Sequence, residues 1–252
     1  MGQHPELQAE QAHIDRAYDR LEALRATARE TLEAALLQRG GTFQAVEERE
    51  VMVGTMLHRL DQLDIGRESL VFGRIDRTEG ERFHIGRLAI AAEDQEPLVV
   101  DWRAPVAEPF YRATGRHPMG LRLRRHFATE GRVLHGIEDE LFSLNGHVAP
   151  EVDDDEFQPV GTGALLAALE RSRSGQMRDI VATVQKEQDE VIRAELPGVL
   201  VVQGGPGTGK TAVALHRAAY LLYTHRFPLE RQGVLVVGPN PVFLRYIGRA
   251  HV

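Results

Sequence analysis

The stretch VLVVQGGPGTGKT, residues 199–211, constrains this chain more than any other. Its first four residues are apolar and β-branched or aliphatic, which is typical of a fully buried parallel strand. Gly204, Gly209, Lys210 and Thr211 match the pattern G-x-x-x-x-G-K-[ST] of a phosphate-binding loop. The apolar residues that follow, up to Leu222, have the spacing of a largely buried helix. Strand, loop and helix therefore stand in the order that phosphate binding requires.

These loop residues predict a site for a nucleoside triphosphate with Mg²⁺. Glycines without a Cβ let the backbone point its N–H groups at an oxyanion, and the dipole of the following helix adds positive potential. Lys210 is expected to contact the β- and γ-phosphates, and the Thr211 hydroxyl to ligate Mg²⁺, so both are candidate catalytic residues. The predicted nucleotide-binding residues of the loop are Gly204, Gly205, Pro206, Gly207, Thr208, Gly209, Lys210 and Thr211.

Composition excludes several other classes of protein. The 252 residues are enough for two or more domains, and the net charge of −7 gives no support for non-specific nucleic-acid binding. Cysteine is absent, which excludes disulfides and thiolate metal sites and fits a cytoplasmic location. No apolar run is long enough to span a membrane, and the polar N-terminus is unlike a signal peptide. Lysine occurs only at Lys186 and Lys210.

Residues 1–65 are predicted to form an antiparallel helical hairpin. Nothing interrupts a helix between Pro5 and Gln38, and leucines recur there near helical or heptad spacing. The sequence Gly40-Gly41-Thr42 predicts a turn, with Thr42 capping a second amphipathic helix that ends near Leu63. The alternatives are an ordinary helical subdomain and an arm that reaches into a partner. Three glutamates lie near the turn, at Glu47, Glu48 and Glu50.

Residues 66–150 are predicted to form a small β-rich domain. Strands are expected at 70–75 and 83–90, joined by the turn 78–81, and further at 97–102, 109–112, 121–127 and 133–134. This region is also the most basic part of the chain, which suggests either a nucleic-acid or protein contact or a solvated strand face. Its arginines are Arg112, Arg116, Arg122, Arg124, Arg125 and Arg132.

The sequence Asp101-Trp102-Arg103-Ala104-Pro105 predicts a structural corner with a buried tryptophan, an Asp–Arg pair and a proline turn. A catalytic role for Asp101 is the alternative. The histidines of this region show no spacing typical of metal ligands.

The C-terminal part returns to an α/β pattern. An acidic run at 151–160 predicts a solvated linker, and helices are expected at 164–171 and 177–194. A second buried strand is predicted at 233–237, followed by Gly238-Pro239-Asn240 and a further helix. We expect residues 161–252 to form the truncated start of a RecA-like α/β domain, which makes the whole chain a multidomain α+β protein.

The run from Gln185 to Tyr223 resembles the first RecA-like domain of the UvrD-like superfamily 1 helicases. In that family a glutamine about twenty residues before the loop lysine reads the adenine edge, and Gln188 occupies that place here. An amide offers one donor and one acceptor face, which suits adenine. The resemblance implies ATP and Mg²⁺ as ligands, and it places Gly238-Pro239-Asn240 on the side that binds a single strand.

The chain as a whole resembles the HelD-type motors of this superfamily, which associate with bacterial RNA polymerase. The features that carry the resemblance are the helical hairpin, ESLVFGRID, EPLVVDWRAPVAEPFY, MRDIVATVQKEQDEVIR and GGPGTGKT, in that order. The resemblance implies an ATP-hydrolysing motor that binds and remodels or recycles polymerase. A UvrD-like 3′–5′ DNA helicase and a non-motor polymerase-binding protein with structural nucleotide remain the alternatives, and contact with DNA or RNA stays open.

The sequence differs from these motors in its extent. Neither a Walker-B carboxylate nor a water-orienting glutamate follows the second apolar run. We therefore expect an N-terminal fragment that lacks hydrolytic activity by itself.

Overall fold

The computed structural model describes residues 4–38, 41–66, 68–142 and 184–247. The predicted linker at 151–160, the helix at 164–171 and the start of the helix at 177–194 lie outside the described residues. Among the described residues, no helix combines the length and apolar character needed to cross a membrane. The helices are α1 (Leu7–Leu37), α2 (Phe43–Gln62), α3 (Glu108–Arg112), α4 (Lys186–Ile192), α5 (Lys210–Thr224), α6 (Arg226–Gln232) and α7 (Pro241–Ile247).

The helical hairpin is confirmed. Thr42 caps α2, because its hydroxyl accepts a hydrogen bond of 3.3 Å from the Ala45 N–H. At the other end of α2, both Arg25 Nε and a terminal nitrogen of Arg25 donate to the Leu63 carbonyl, at 3.1 and 2.6 Å. Arg25 belongs to α1, and it therefore provides hydrogen bonds to a carbonyl at the C-terminal end of α2.

A mixed sheet of six strands forms the centre of the β region, in the order β3-β4-β2-β1-β5-β6. Only β2 and β4 pair in parallel, and the other neighbours are antiparallel. The predicted turn at 78–81 is confirmed between the first two strands, with Gly80 at φ 93°. The strands are β1 (Val71–Arg77), β2 (Arg82–Gly86), β3 (Ile90–Ala91), β4 (Pro97–Asp101), β5 (Leu121–Glu130) and β6 (Val133–Leu141).

Several strand predictions for this region differ from the structure, and the run expected at 83–90, for example, is divided between β2 and β3. The stretch expected as a strand at 109–112 belongs to helix α3, which follows a 3-10 turn at Pro105–Ala107. A proline lies in the first turn of each segment. Its fixed φ favours helix there, and its lack of an N–H costs no hydrogen bond, because the first N–H groups of a helix have no acceptor within the helix. The strand expected at 133–134 is much longer, because β6 pairs with β5 along its whole length.

The first half of α1 packs on one face of the sheet. Ile14, Ala17 and Leu21 are fully buried in a cluster with Leu70 and Phe127. Beyond Leu24, which still packs against this cluster, α1 contacts α2, and small side chains such as Ala28 and Ala35 are buried there. The outer half of the hairpin therefore projects from the sheet, and α2 has no buried residue among those described.

A buried charge cluster fixes the same half of α1 to the sheet. The Glu10 carboxylate pairs with Arg74 and lies 2.6 Å from Arg125, and the two arginines belong to β1 and β5. His84 Nε2 lies 2.8 Å from the other oxygen of Glu10. Burial raises the pKa of Glu10, but the hydrogen bonds and neighbouring positive charges outweigh it and hold that pKa at about 2.

An imidazole pair completes this interface. His13 stacks on His84 with ring centroids 3.5 Å apart, and its Nε2 donates to the Leu98 carbonyl at 2.7 Å. Burial lowers the pKa of His13 to about 4, so the stacked ring is neutral at pH 7.

The predicted solvated arginine face is wrong for the centre of β5. Arg124 and Arg125 are 4 % and 1 % exposed. The two side chains point to opposite faces of the strand: Arg125 pairs with Glu10 of α1 on one face, whereas Arg124 donates to the carbonyls of Phe110 and Ala113 on the other. Both also pair with carboxylates of the neighbouring strand β6. Arg112, Arg122 and Arg132 also pair with carboxylates, which leaves little support for a nucleic-acid surface here.

The two apolar runs predicted as buried parallel strands, 199–202 and 233–237, are also wrong. Neither pairs with a described strand, and Val199 and Leu235 are 94 % and 89 % exposed. A parallel strand is stable only with hydrogen-bonded neighbours and helices over both faces, and the described residues supply neither. The helix predicted at 177–194 also differs from the structure. Gln185 has an extended backbone and is the N-cap of α4, so α4 begins at Lys186.

We predict that Arg125→Gln destabilises the fold much more than Arg132→Gln. Loss of Arg125 leaves the buried carboxylate of Glu10 with less compensation, which costs about 3–5 kcal/mol. Arg132 pairs with Asp15 and Asp19 at the surface, where a pair contributes about 0.2–1 kcal/mol. Urea denaturation measures both free energies of unfolding, and equal losses in the two variants would contradict the prediction.

Candidate nucleotide-binding site

The phosphate loop has the backbone that its sequence predicts. Gly207 and Gly209 adopt φ of 81° and 82°, a region that residues with a Cβ rarely occupy. Gly209 directly precedes α5, so Lys210 is the first residue of that helix and Thr211 the second. Residues 204–208 are exposed, whereas Gly209, Lys210 and Thr211 are half-buried.

The Lys210 side chain folds over the loop. Its Nζ donates to the carbonyls of Gly204 and Gly205, at 2.8 and 2.6 Å. The Thr208 hydroxyl donates to the Gly205 carbonyl at 2.9 Å, and a Cβ on Gly204 would lie 2.7 Å from that hydroxyl oxygen. The ammonium therefore lies within the curve of the loop.

Gln188 lies beside the loop, although the two are separated in sequence. Its Oε1 accepts a hydrogen bond of 3.1 Å from the Gln185 N–H, which caps α4. Its Nε2 lies 3.2 Å from the place that a Cβ on Gly209 would occupy. The structure thus brings Gln188 and Gly209 together and leaves Nε2 on the side of the loop.

Asn240, which the family resemblance places on the strand-binding side, makes a local contact at the start of α7. The Asn240 side chain accepts a hydrogen bond of 2.9 Å from the Phe243 N–H and so caps α7. Among the described residues, no group of three or more His, Asp or Glu side chains is arranged to hold a metal ion.

Two arginines that the sequence analysis did not single out connect α4 with its surroundings. Arg217 of α5 donates to the carbonyls of Val191, Ile192 and Ala194 at the end of α4. Arg193 pairs with Asp189 at 2.8 Å; burial raises the pKa of Asp189, and Arg193 opposes that shift. The i,i+4 spacing of this pair is the only signal of it in the sequence.

Two family profiles match the chain. The profile for the DNA helicase IV HelD N-terminal domain matches residues 7–156, which is more than half of the chain. The chain belongs to the HelD family. The profile for the UvrD/REP helicase N-terminal domain matches residues 184–238, which include Gln188 and the phosphate loop. No curated protein matches the chain.

The two matched segments divide the HelD chain by structure as well as by sequence. The first contains the hairpin, the sheet and the corner at 101–105, whereas the second contains α4, the phosphate loop and α5. Two predicted features of the corner are confirmed: Trp102 is buried, and Arg103 pairs with Asp101 at 2.6 Å. A structured segment that matches the HelD N-terminal domain therefore precedes the loop segment that matches the UvrD/REP helicases.

We predict that Gly209→Ala destabilises the HelD loop and that Gly205→Ala does not. A Cβ at position 209 meets both a positive φ and the Gln188 amide, with an expected loss of about 1–2 kcal/mol. At position 205 the nearest atom to such a Cβ is 3.9 Å away. Denaturation followed by the emission of Trp102 measures both variants, and equal stability would contradict the prediction.

Proposed function

We propose that this chain binds ATP with Mg²⁺ as part of an ATP-hydrolysing, helicase-like motor. The observation that carries the proposal is the loop itself: two glycines at positive φ lead into α5, and the only lysine of the loop curls over it. This arrangement suits a phosphate chain, because an ammonium and a helix N-terminus both lie at the loop, and glycine-rich loops of this kind offer backbone N–H groups to anions.

Each residue of the site has a proposed role. Lys210 exchanges its two loop carbonyls for oxygens of the β- and γ-phosphates, and Thr211 ligates Mg²⁺. Gln188 contacts the adenine edge through Nε2, since its oxygen already caps α4. The residues proposed to enclose the phosphates are Gly204, Gly205, Pro206, Gly207, Thr208 and Gly209.

We also propose that residues 161–252 belong to a RecA-like unit, next to a hairpin unit at 1–65 and a β-rich unit at 66–150. The match of 184–238 to the UvrD/REP helicases and the position of the loop at the start of α5 support this division. The absence of cysteine supports a cytoplasmic location.

RNA polymerase is the proposed partner, with the outer half of the hairpin as the contact. The support is the resemblance to HelD-type motors and the exposure of apolar side chains toward the turn, among them Leu37, Phe43 and Val51. At 1.5 Å per residue, the part of α1 from Leu21 to Leu37 is about 24 Å long, which suits insertion into a channel. The UvrD/REP match favours a second candidate, a motor that translocates on DNA.

We predict that Lys210→Ala abolishes Mg²⁺–ATP binding by this chain and ATP hydrolysis by the intact motor. No other group of the loop supplies the positive charge, so we expect a loss of at least about 100-fold. Lys186→Ala is the matched control, because it removes the other lysine of the chain from an exposed position. Equilibrium dialysis with labelled ATP is the measurement, and equal binding by both variants would overturn the assignment.

We predict that shortening the hairpin removes polymerase binding and spares nucleotide binding. Replacing residues 31–56 with a short Gly-Ser turn keeps Ile14, Leu21 and the Arg25–Leu63 contact, so the sheet stays covered. Deleting the whole hairpin would instead uncover that core. Co-sedimentation with polymerase tests the partner, and labelled ATP tests the site; undiminished polymerase binding would place the contact elsewhere.

A further inference from the structure

The corner at residues 101–103 is a rigid element at the end of β4. Arg103 donates to both carboxylate oxygens of Asp101, at 2.8 and 2.6 Å, and its backbone N–H donates to the first of them at 2.9 Å. Asp101 and Trp102 are each 3 % exposed. The corner thus holds its side chains in one arrangement while the chain turns into the 3-10 segment.

Two side chains of the corner contact α5, the helix that begins with the phosphate-loop lysine. The rings of Trp102 and His216 lie 5.7 Å apart. The guanidinium of Arg103 lies 4.9 Å above the ring of Tyr223, a cation–π contact at the far end of the helix. The corner therefore contacts α5 at two positions that are two turns apart.

Arg193 holds the backbone of the corner to the end of α4. Its guanidinium donates to the carbonyls of Trp102 and Arg103, at 2.7 and 3.3 Å, and lies 5.2 Å from the ring of Tyr220 on α5. Gln188 lies at the other end of α4, beside Gly209 of the loop. The corner is thus linked both to α4, which carries Gln188, and to α5, which begins with Lys210.

These contacts cross from one family segment to the other. The corner lies in the segment that matches HelD, and α4 and α5 lie in the segment that matches the UvrD/REP helicases. The Lys210 ammonium has three donors, and the carbonyls of Gly204 and Gly205 take two of them, so contact with both the β- and the γ-phosphate requires this arrangement to change. Because Lys210 is the first residue of α5, a change in the loop acts on the same helix that the corner contacts.

We propose that Arg103 is a positioning residue for nucleotide binding: through Tyr223 it sets the placement of α5 beneath the phosphate loop, and nucleotide in turn alters the contact between Trp102 and His216. The inference rests on the proposed function, since it assumes that the loop binds nucleotide. The two effects are linked, because a contact that changes nucleotide affinity must itself be changed by nucleotide.

The first experiment uses the only tryptophan of the chain as its probe. Trp102 emission is recorded while a non-hydrolysable ATP analogue with Mg²⁺ is added, and equilibrium dialysis measures binding of the same analogue. We expect a saturable change in intensity or wavelength with the same midpoint as binding. The Lys210→Ala variant is titrated with the same nucleotide concentrations, and its change in Trp102 emission measures the loss of light that nucleotide absorbance alone causes.

The second experiment compares two variants of the aromatic partner with a control variant at a nearby residue. Tyr223→Leu removes the ring under Arg103 and is expected to weaken binding of the analogue about three- to fivefold. Tyr223→Phe keeps the ring and is expected to restore affinity to within about twofold of the unaltered chain. Phe227→Leu, at an 89 % exposed position of α6, controls for loss of an aromatic side chain nearby.

The outcomes separate this inference from the proposed function. If dialysis shows binding but Trp102 emission does not respond, or if Tyr223→Leu binds as tightly as Tyr223→Phe, the inference is overturned and nucleotide binding stands. If dialysis shows no binding by the unaltered chain, the proposed function is overturned and the inference with it. A change in emission together with selective weakening in Tyr223→Leu supports both.

Discussion

The buried carboxylate of Glu10 determines how the hairpin is attached to the sheet. The apolar stripe of α1 repeats with every turn, so apolar contacts alone would tolerate a shift of the helix by one turn. Such a shift would leave Arg74 and Arg125 buried away from this carboxylate, at a cost of several kcal/mol. The charges therefore select one register, and the packing of Ile14 and Leu21 follows from it.

Arginine has this connecting role throughout the chain. Arg25 and Arg217 each donate to backbone carbonyls near the end of a helix, where the last carbonyls have no partner within the helix. Arg193 donates to the Trp102 carbonyl, just after the end of β4. A planar guanidinium with five donors can satisfy several acceptors at once, which a lysine ammonium does less well. Lysine is used instead at Lys210, where a compact charge at the start of α5 suits a phosphate.

The features that are best predicted from the sequence are those determined by residues close together in the chain. The cap at Thr42, the turn at Gly80 and the loop that leads into α5 all depend on neighbouring residues, and all three are confirmed. Burial of Arg125 was not predictable, because its partner Glu10 is 115 residues away. The runs at 199–202 and 233–237 have strand-like composition, but a strand needs partners that composition cannot supply. Within the site, the loop followed from its own pattern, whereas the Arg193 contact with Trp102 spans 91 residues and left no signal.

The attachment of α1 at one end makes the hairpin a lever. Its inner half is fixed by Glu10, Ile14 and Leu21, and among the described residues its outer half packs against α2. From Leu21 to Leu37 the helix extends about 24 Å, so a rotation of about 10° at the sheet displaces the turn by about 4 Å. A small adjustment at the charge cluster is thereby amplified at the tip of the hairpin. Conversely, a force applied at the turn produces a torque at the charge cluster that increases with the length of the projecting part of the hairpin.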